Sequence, residues 1–131
     1  MNWTIDYIEP DDYVKITVEG MFSTEKHSDC LKKLVSSPFW KPGINLLYDN
    51  RNFDFDQMSM EKVRTGSENY QKVSGQLGAG KMALLMKSPL GYGVGRQFQM
   101  FAEHKLKRSI RVFTIEGEAL RWLRKQTPDF H

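Results

Sequence analysis

Cysteine is nearly absent from the sequence, which has a single one, Cys30, in 131 residues. One cysteine excludes a disulfide within the chain and any metal site built from several thiolates. Long apolar runs are missing too: no stretch approaches the roughly 18 apolar residues of a membrane-spanning helix. We therefore expect no stable insertion into a membrane. The first twelve residues have neither the basic start nor the apolar core of a signal peptide. Together these absences predict a cytoplasmic protein.

A large excess of one charge is also missing, because the net charge is +3, but the charges are unevenly distributed. The first 25 residues contain six acidic residues and one basic residue, Lys15, whereas the last third is rich in Lys and Arg. The ordinary interpretation of the basic segment is a solvated helix face near helix C-termini. The alternative is a surface that attracts an anionic partner. Nucleic acid is not an expected partner, because exposed aromatic residues do not alternate with the basic ones.

The central feature of the chain is residues 81–101, KMALLMKSPLGYGVGRQFQMF. Residues 82–86 form a continuous apolar run, which is typical of a strand covered on both faces. Ser88 and Pro89 predict a helix start, with Ser88 as N-cap and Pro89 at the first helical position. Gly91 and Gly95 flank the helix face and, without a Cβ, would let the helix pack closely on the sheet. The apolar face of this helix is predicted to contain Leu90, Val94, Phe98, Phe101 and Ala102.

The remaining patterns predict a single α/β domain over residues 1–131. Alternating or continuous apolar residues predict strands at 3–8, 14–19, 44–48, 82–86 and 109–115. Helices are predicted from an N-cap at Thr24 to residue 37, from an N-cap at Ser59 with an apolar stripe from Met60 to Leu77, over 89–102 and over 118–125. The order ββαβαβαβα predicts a mostly parallel five-stranded sheet with an antiparallel N-terminal strand and about four helices.

A ligand site is predicted where three connecting segments meet at the carboxyl ends of the parallel strands. These segments are residues 21–24, 49–59 and 88–96, and they are rich in aromatic side chains, as pockets for amphiphilic small molecules are. We expect four side chains to cover the apolar part of a ligand, and the polar side chains of the third segment to bind its polar end. Asp49 and Arg51 are expected to tie the segments together at the edge of the site. The predicted ligand-binding residues are Phe22, Phe53, Phe55, Met58, Ser88, Tyr92 and Arg96. The alternative is that the same residues form an outer core with a structural Asp–Arg pair.

The sequence contains no complete catalytic constellation, so we do not expect an enzyme. Cys30 lies in mid-helix among apolar neighbours, which raises the pKa of a thiol and argues against a nucleophile. Ser59 and Ser88 have no histidine nearby in the sequence to act as a base, and helix capping explains both.

The motifs for cofactors and metals are incomplete as well. Residues 91–96 resemble a dinucleotide-binding G-x-G-x-x-G motif, but Arg96 stands where the third glycine is needed. His27 shares a helical stripe with Cys30 and is expected to be hydrogen-bonded and half-buried. Neither His27 nor His104 has a second ligand one helical turn away, and His131 is the last residue of the chain. We expect no cofactor and no metal ion.

Ser59 also suggests a second kind of function. The free N–H groups and the dipole at a helix N-terminus stabilise an added phosphate, so a serine there is a sensible phosphorylation site.

Several stretches together resemble a known family. They are Leu46-Leu47-Tyr48-Asp49-Asn50-Arg51, Tyr92-Gly93-Val94-Gly95-Arg96-Gln97-Phe98, and Val112-Phe113 followed by Glu118-Ala119-Leu120-Arg121-Trp122-Leu123. They resemble the SpoIIAA-like proteins, small bacterial proteins of the STAS/SEC14 fold group. The resemblance spans nearly the whole chain in element order and implies a sheet with successive βα units.

The resemblance implies two different functions. SEC14-type relatives bind lipids in an apolar cleft, which implies a lipid-like small molecule as ligand. Anti-sigma-factor antagonists bind a protein partner and are switched by phosphorylation of a serine at about the place of Ser59. The relatives' Asp-Ser-Ser-Gly is replaced here by Asp56-Gln57-Met58-Ser59. A homodimer through an apolar edge or helix also suits a domain of this size.

Overall fold

The computed structural model describes residues 1–125; residues 126–131, which include His131, lie outside the described part. The described chain contains five strands and five helices, in the order β1-β2-α1-β3-α2-α3-β4-α4-β5-α5. The strands are β1 (Asn2–Ile8), β2 (Tyr13–Gly20), β3 (Asn45–Phe53), β4 (Gly80–Leu85) and β5 (Arg108–Phe113). The helices are α1 (Thr24–Val35), α2 (Met60–Lys72), α3 (Ser74–Leu77), α4 (Pro89–Ala102) and α5 (Glu116–Arg124).

The strands form one sheet in the order β1-β2-β3-β4-β5. β1 is antiparallel to β2, and β2 to β5 run parallel, so the predicted sheet is confirmed. Strands that follow one another across a sheet through right-handed crossovers place their connecting helices on one face. The core agrees: α1, α2 and α4 pack on one face, against strand residues such as Leu46 and Leu84. On the other face, α5 is the one helix of residues 1–125 that packs on the sheet, against Leu47, Ala83 and Leu85.

Several of the predicted element bounds were wrong. The helix predicted from Met60 to Leu77 is interrupted at Val73, whose φ of −116° ends α2 before the short α3 begins. β3 does not end at residue 48, because its pairing with β2 continues past a register shift as far as Phe53. β5 ends at Phe113, and α5 starts at Glu116, where two acidic side chains favour the helix N-terminus. Ser23, not Thr24, is the N-cap of α1, which ends at Val35.

The start of α4 forms as its sequence predicts. The Ser88 Oγ accepts a hydrogen bond from the Gly91 N–H at 3.0 Å, and Pro89 occupies the first turn. A Cβ on Gly91 would lie 3.1 Å from the Phe55 ring, and one on Gly95 would lie 3.1 Å from Met86 Cε. Gly95, which also faces Val112 of β5, therefore permits the predicted close packing of α4 on the sheet, whereas Gly91 faces a residue of the loop after β3. Two apolar residues predicted to be buried are instead half exposed in first turns: Leu90 in α4 (50%) and Met60 in α2 (52%).

Two loops cross closely at the end of the sheet where the parallel strands β3 and β4 begin. Gly43 and Gly78 have φ values of +97° and +70°, which favour glycine, and the Gly43 N–H donates to the Leu77 carbonyl at 2.8 Å. The buried Arg108 guanidinium donates to the same Leu77 carbonyl at 2.7 Å. The segment that leads into β4 is thereby fixed against the loop that leads into β3.

Candidate functional site

A cavity of about 110 Å³ lies between α2 and α4 at the carboxyl ends of the parallel strands and opens to solvent. Its lining is mostly aliphatic and aromatic. β2, β3 and β4 supply one wall, the helices supply two others, and the loop after β3 covers the outer side. The lining residues are Met1, Val18, Phe22, His27, Tyr48, Asn50, Phe53, Phe55, Met58, Lys62, Val63, Gly66, Tyr70, Leu84, Met86, Val94, Gly95 and Phe98.

Four of the predicted ligand-binding residues come together at this cavity. Phe22, Phe53, Phe55 and Met58 all line it. The Phe53 and Phe55 rings meet edge to face, with centroids 4.9 Å apart. The loops converge because successive parallel strands all end at the same edge of the sheet.

The other three predicted ligand-binding residues lie away from the cavity lining. Ser88 is occupied as the N-cap of α4. Tyr92 and Arg96 are exposed on α4. Val94 and Phe98 of the same helix line the cavity. Tyr92 and Arg96 each lie two positions before one of them, which is about 200° around the helix, so their side chains point away from the cavity.

Asp49 and Arg51 lie in an ionic cluster on the face of the sheet that α5 covers. The Arg51 guanidinium donates to both Asp49 carboxylate oxygens, at 2.9 and 2.8 Å. Lys15 and Glu116 complete the cluster, with Lys15 Nζ 3.1 Å from the Glu116 carboxylate. The Arg51 hydrogen bonds hold the pKa of Asp49 below its usual range. This cluster joins β2 and β3 to the start of α5, on the opposite side of the sheet from the cavity.

His27 is a buried ionisable group that lines the cavity. It is 8% exposed, and its Nδ1 lies 3.0 Å from the Asn69 side-chain nitrogen. Burial lowers the pKa of His27 to about 4, so the ring is neutral at neutral pH. The prediction of a hydrogen-bonded histidine is confirmed, although the ring is more buried than expected.

Two tyrosines and one lysine add further polar groups to the cavity wall. The Tyr48 hydroxyl is sealed from solvent and has no hydrogen-bond partner in the described residues. Its ring meets Tyr70 edge to face at 5.9 Å. The two hydroxyls are close enough to affect each other's pKa without being aligned for a hydrogen bond, and burial raises the pKa of both. At the rim, the Lys62 ammonium donates to the Gln57 carbonyl at 2.8 Å.

The contribution of α2 to the cavity was missed in the sequence. Val63 and Tyr70 were assigned to a core stripe, and they line the cavity together with Gly66. Gly66 was the sequence signal that could have indicated this wall of the cavity. A glycine inside a helix weakens the helix, so it often marks a position where packing requires the absence of a side chain. A Cβ on Gly66 would lie 3.8 Å from Phe22 and 3.9 Å from His27, at ordinary contact distance.

Other groups considered as sites have structural surroundings. Burial raises the pKa of the Cys30 thiol to about 12, which keeps it protonated. Within residues 1–125, no group of three or more His, Cys, Asp or Glu side chains is arranged to hold a metal ion. None of the helices in that range is long and apolar enough to cross a bilayer.

Comparison with known proteins supports the fold. No family model matches the chain, and no curated protein matches its sequence. A solved structure does match: an uncharacterized protein of the DUF3478 family from Shewanella loihica PV-4, described as having a SpoIIAA-like fold. The two chains are 18% identical, with 93% of this chain and 92% of the other covered at a TM-score of 0.62. The chain therefore has a SpoIIAA-like fold, and the predicted resemblance is confirmed at the level of the fold.

Proposed function

We propose that this chain is a non-enzymatic, cytoplasmic binding module for a small apolar or amphiphilic ligand, held in the cavity between α2 and α4. The observation that supports the proposal is the position and lining of that cavity. It opens at the carboxyl edge of a parallel sheet, where α/β proteins commonly bind ligands, and its walls are mainly aromatic and aliphatic.

The size of the cavity limits the ligand. An apolar cavity of about 150 Å³ is known to bind benzene, and this one measures about 110 Å³. The ligand, or the part of it that enters, is therefore no larger than a small ring or the end of an alkyl chain. A longer amphiphile would leave the rest of its length outside the opening.

The chemical groups at the cavity favour binding over catalysis. A general base works best when its pKa lies near the working pH. The pKa of His27, at about 4, is far below neutrality.

Substitutions at Gly66 test the proposal, with benzene as the probe in an NMR titration. Gly66→Ala should raise the free energy of unfolding by about 1 kcal/mol, because alanine is the better helix former. The same methyl group would occupy part of the cavity and weaken benzene binding. Gly66→Leu should abolish the binding.

Gly93 provides the matched control. It lies in α4 with nothing within 4 Å of the position of a Cβ. Gly93→Ala and Gly93→Leu should therefore leave the benzene titration as in the wild type. The proposal fails if the wild type does not bind benzene, or if the Gly66 and Gly93 variants bind it equally well.

A second candidate function is a regulatory protein–protein interaction domain, switched by phosphorylation of Ser59. It is favoured by one observation: Ser59 is an exposed N-cap whose Oγ accepts the Lys62 N–H at 3.2 Å. Its neighbours Met58 and Lys62 line the cavity. A phosphate at this position would interact with the start of α2 and change the charge at the rim.

Ser59→Asp tests the second candidate. Aspartate caps a helix about as well as serine, so the melting temperature should remain close to that of the wild type. Recovery of a protein partner in pull-downs should fall because of the added charge. Ser59→Ala is the control: it loses the cap and about 1 kcal/mol of stability, yet it should retain the partner. Equal recovery by Ser59→Asp and the wild type would remove this candidate.

A further inference from the structure

We propose that the ligand of the cavity presents an uncharged hydrogen-bond acceptor, a carbonyl or ether oxygen, to the Nε2–H of His27. The inference rests on the proposed function, because it specifies the chemistry of the molecule that enters the same cavity. It assigns to His27 the choice between ligands of equal size, which an apolar wall alone cannot make.

The first step is the tautomer of His27. The Asn69 Nδ2 lies 3.0 Å from His27 Nδ1 and 3.5 Å from the Thr24 carbonyl oxygen. An amide nitrogen only donates, so Nδ1 must accept its hydrogen bond. A neutral imidazole that accepts at Nδ1 carries its proton at Nε2. Asn69 therefore makes Nε2 a donor.

The second step is that this donor lacks an acceptor. Within residues 1–125, the side chain of His27 hydrogen-bonds only to Asn69. Its other close neighbours are aromatic rings, Phe22 at 5.5 Å and Tyr70 at 5.1 Å between centroids. Nε2 is not among the side-chain atoms that are both sealed from solvent and without a partner, so water can reach it from the cavity. A ligand that displaces this water leaves the donor unpaired, which is costly, unless the ligand supplies an acceptor of its own.

The third step is position. His27 is 8% exposed and is one of the residues that line the cavity. The Tyr48 hydroxyl is also unpaired, but it is sealed from solvent and so is not presented to a molecule in the cavity.

The surroundings of His27 favour an uncharged acceptor over a carboxylate. Phe22, Gly66 and Tyr70 are its neighbours, and the Lys62 ammonium at the rim of the cavity donates to the Gln57 carbonyl. A carboxylate at this position would lose its hydration without gaining a paired charge. A ketone, aldehyde, ester or ether oxygen has a much smaller desolvation cost.

A matched pair of ligands tests the inference by NMR titration. Cyclopentanone and methylenecyclopentane have nearly the same shape and differ by a carbonyl oxygen in place of a CH₂ group. The measured quantity is the ratio of their affinities, in the wild type and in His27→Phe. The ratio of ketone to alkene affinity should be about fivefold lower in His27→Phe, the value of one ordinary hydrogen bond. Comparing ratios removes the different hydrophobicities of the two ligands, as in a double-mutant cycle.

His104→Phe is the control for the substitution, because His104 is exposed and is not part of the cavity wall. It should leave the ratio unchanged. A second measurement on the wild type needs no variant: cyclopentanone should shift the ¹⁵N resonance of His27 Nε2 much more than methylenecyclopentane does. This measurement decides the question if His27→Phe does not fold.

The outcomes separate this inference from the proposed function. If both ligands bind but the ratio is the same in the wild type and His27→Phe, the inference is overturned and recognition of the oxygen lies elsewhere, for example at Asn50. An Nε2 resonance that responds equally to both ligands overturns it as well. If neither ligand binds the wild type, the proposed function itself fails.

Discussion

Replacing Gly78 with alanine should lower the free energy of unfolding by about 3 kcal/mol or more. Gly78 has a φ of +70° and a ψ of −173°, a conformation that is essentially restricted to glycine. A Cβ at this position would lie 2.8 Å from the Gly43 backbone nitrogen and 2.9 Å from Pro42 Cβ. Backbone strain and a collision with another loop therefore act together, and the colliding atoms cannot move aside as a flexible side chain would.

Urea unfolding of Gly78→Ala measures this loss, and Gly75→Ala is the matched control. Gly75 lies in α3, three residues earlier, with nothing within 4 Å of the position of its Cβ. The control should be as stable as the wild type or up to about 1 kcal/mol more stable, because alanine favours a helix. A Gly78→Ala protein that unfolds at the same urea concentration as the control would contradict the described crossing of the two loops.

Acidification from pH 7 to pH 4.5 should destabilise the protein by about 2 kcal/mol through His27 alone. The pKa of His27 is about 4 in the folded state, against 6.5 for an exposed histidine. As the pH falls below 6.5, His27 becomes protonated in the unfolded chain but stays neutral in the folded protein. The contribution of the neutral His27 to stability is therefore fully present above pH 6.5 and is lost progressively down to about pH 4.

Urea unfolding of the wild type and of His27→Gln at the two pH values isolates this contribution. The variant does not titrate at this position, so its stability should change less with pH even if it is less stable at pH 7. Asp49, whose pKa is lowered beside Arg51, contributes stability that is lost mainly at more acidic pH, as the pH falls from the ordinary aspartate pKa of 3.8 through the lowered one. Parallel curves for the two proteins between pH 7 and pH 4.5 would show that His27 is not held neutral by burial.

The elements that could be predicted from sequence are those whose signals are local. Ser88 followed by Pro89 specifies a helix start by hydrogen bonding and ring geometry within one turn. The apolar run that became β4 likewise needs no distant information. By contrast, β3 was ended too early, because the four residues after Tyr48 are polar and the segment is held in the strand by pairing with β2. That pairing is a tertiary contact.

The candidate site was predicted in part for a similar reason. Topology brings the loops after parallel strands together, so Phe53 and Phe55 could be assigned to the cavity without knowing any side-chain direction. Arg96 and Tyr92 were assigned from the same loop rule, but both belong to a helix, and there the direction of each side chain depends on its angular position. Successive side chains of a strand point to opposite faces of the sheet, and this alternation decides on which face Asp49 lies. The convergence of loops after parallel strands gives no information about it.

His27 was identified as a hydrogen-bonded, half-buried residue but not as a site residue, since its significance depends on Asn69, 42 positions away. The spacing of residues along one chain does not show which donor will face which nitrogen. Gly66 carried some of the missing information. A gap in an otherwise apolar helix stripe leaves room, and this room became part of the cavity.

The order of the strands has a consequence for folding during synthesis. Every strand pairs with the one that precedes it in the chain. As the polypeptide leaves the ribosome, each new strand can add to the growing edge without separating any earlier pair. The face that carries Leu47, Ala83 and Leu85 is covered by α5, which is synthesised after all five strands. Until residues 116–124 can pack, this face of a growing chain leaves an apolar surface exposed to solvent, and α5 is the element that covers it.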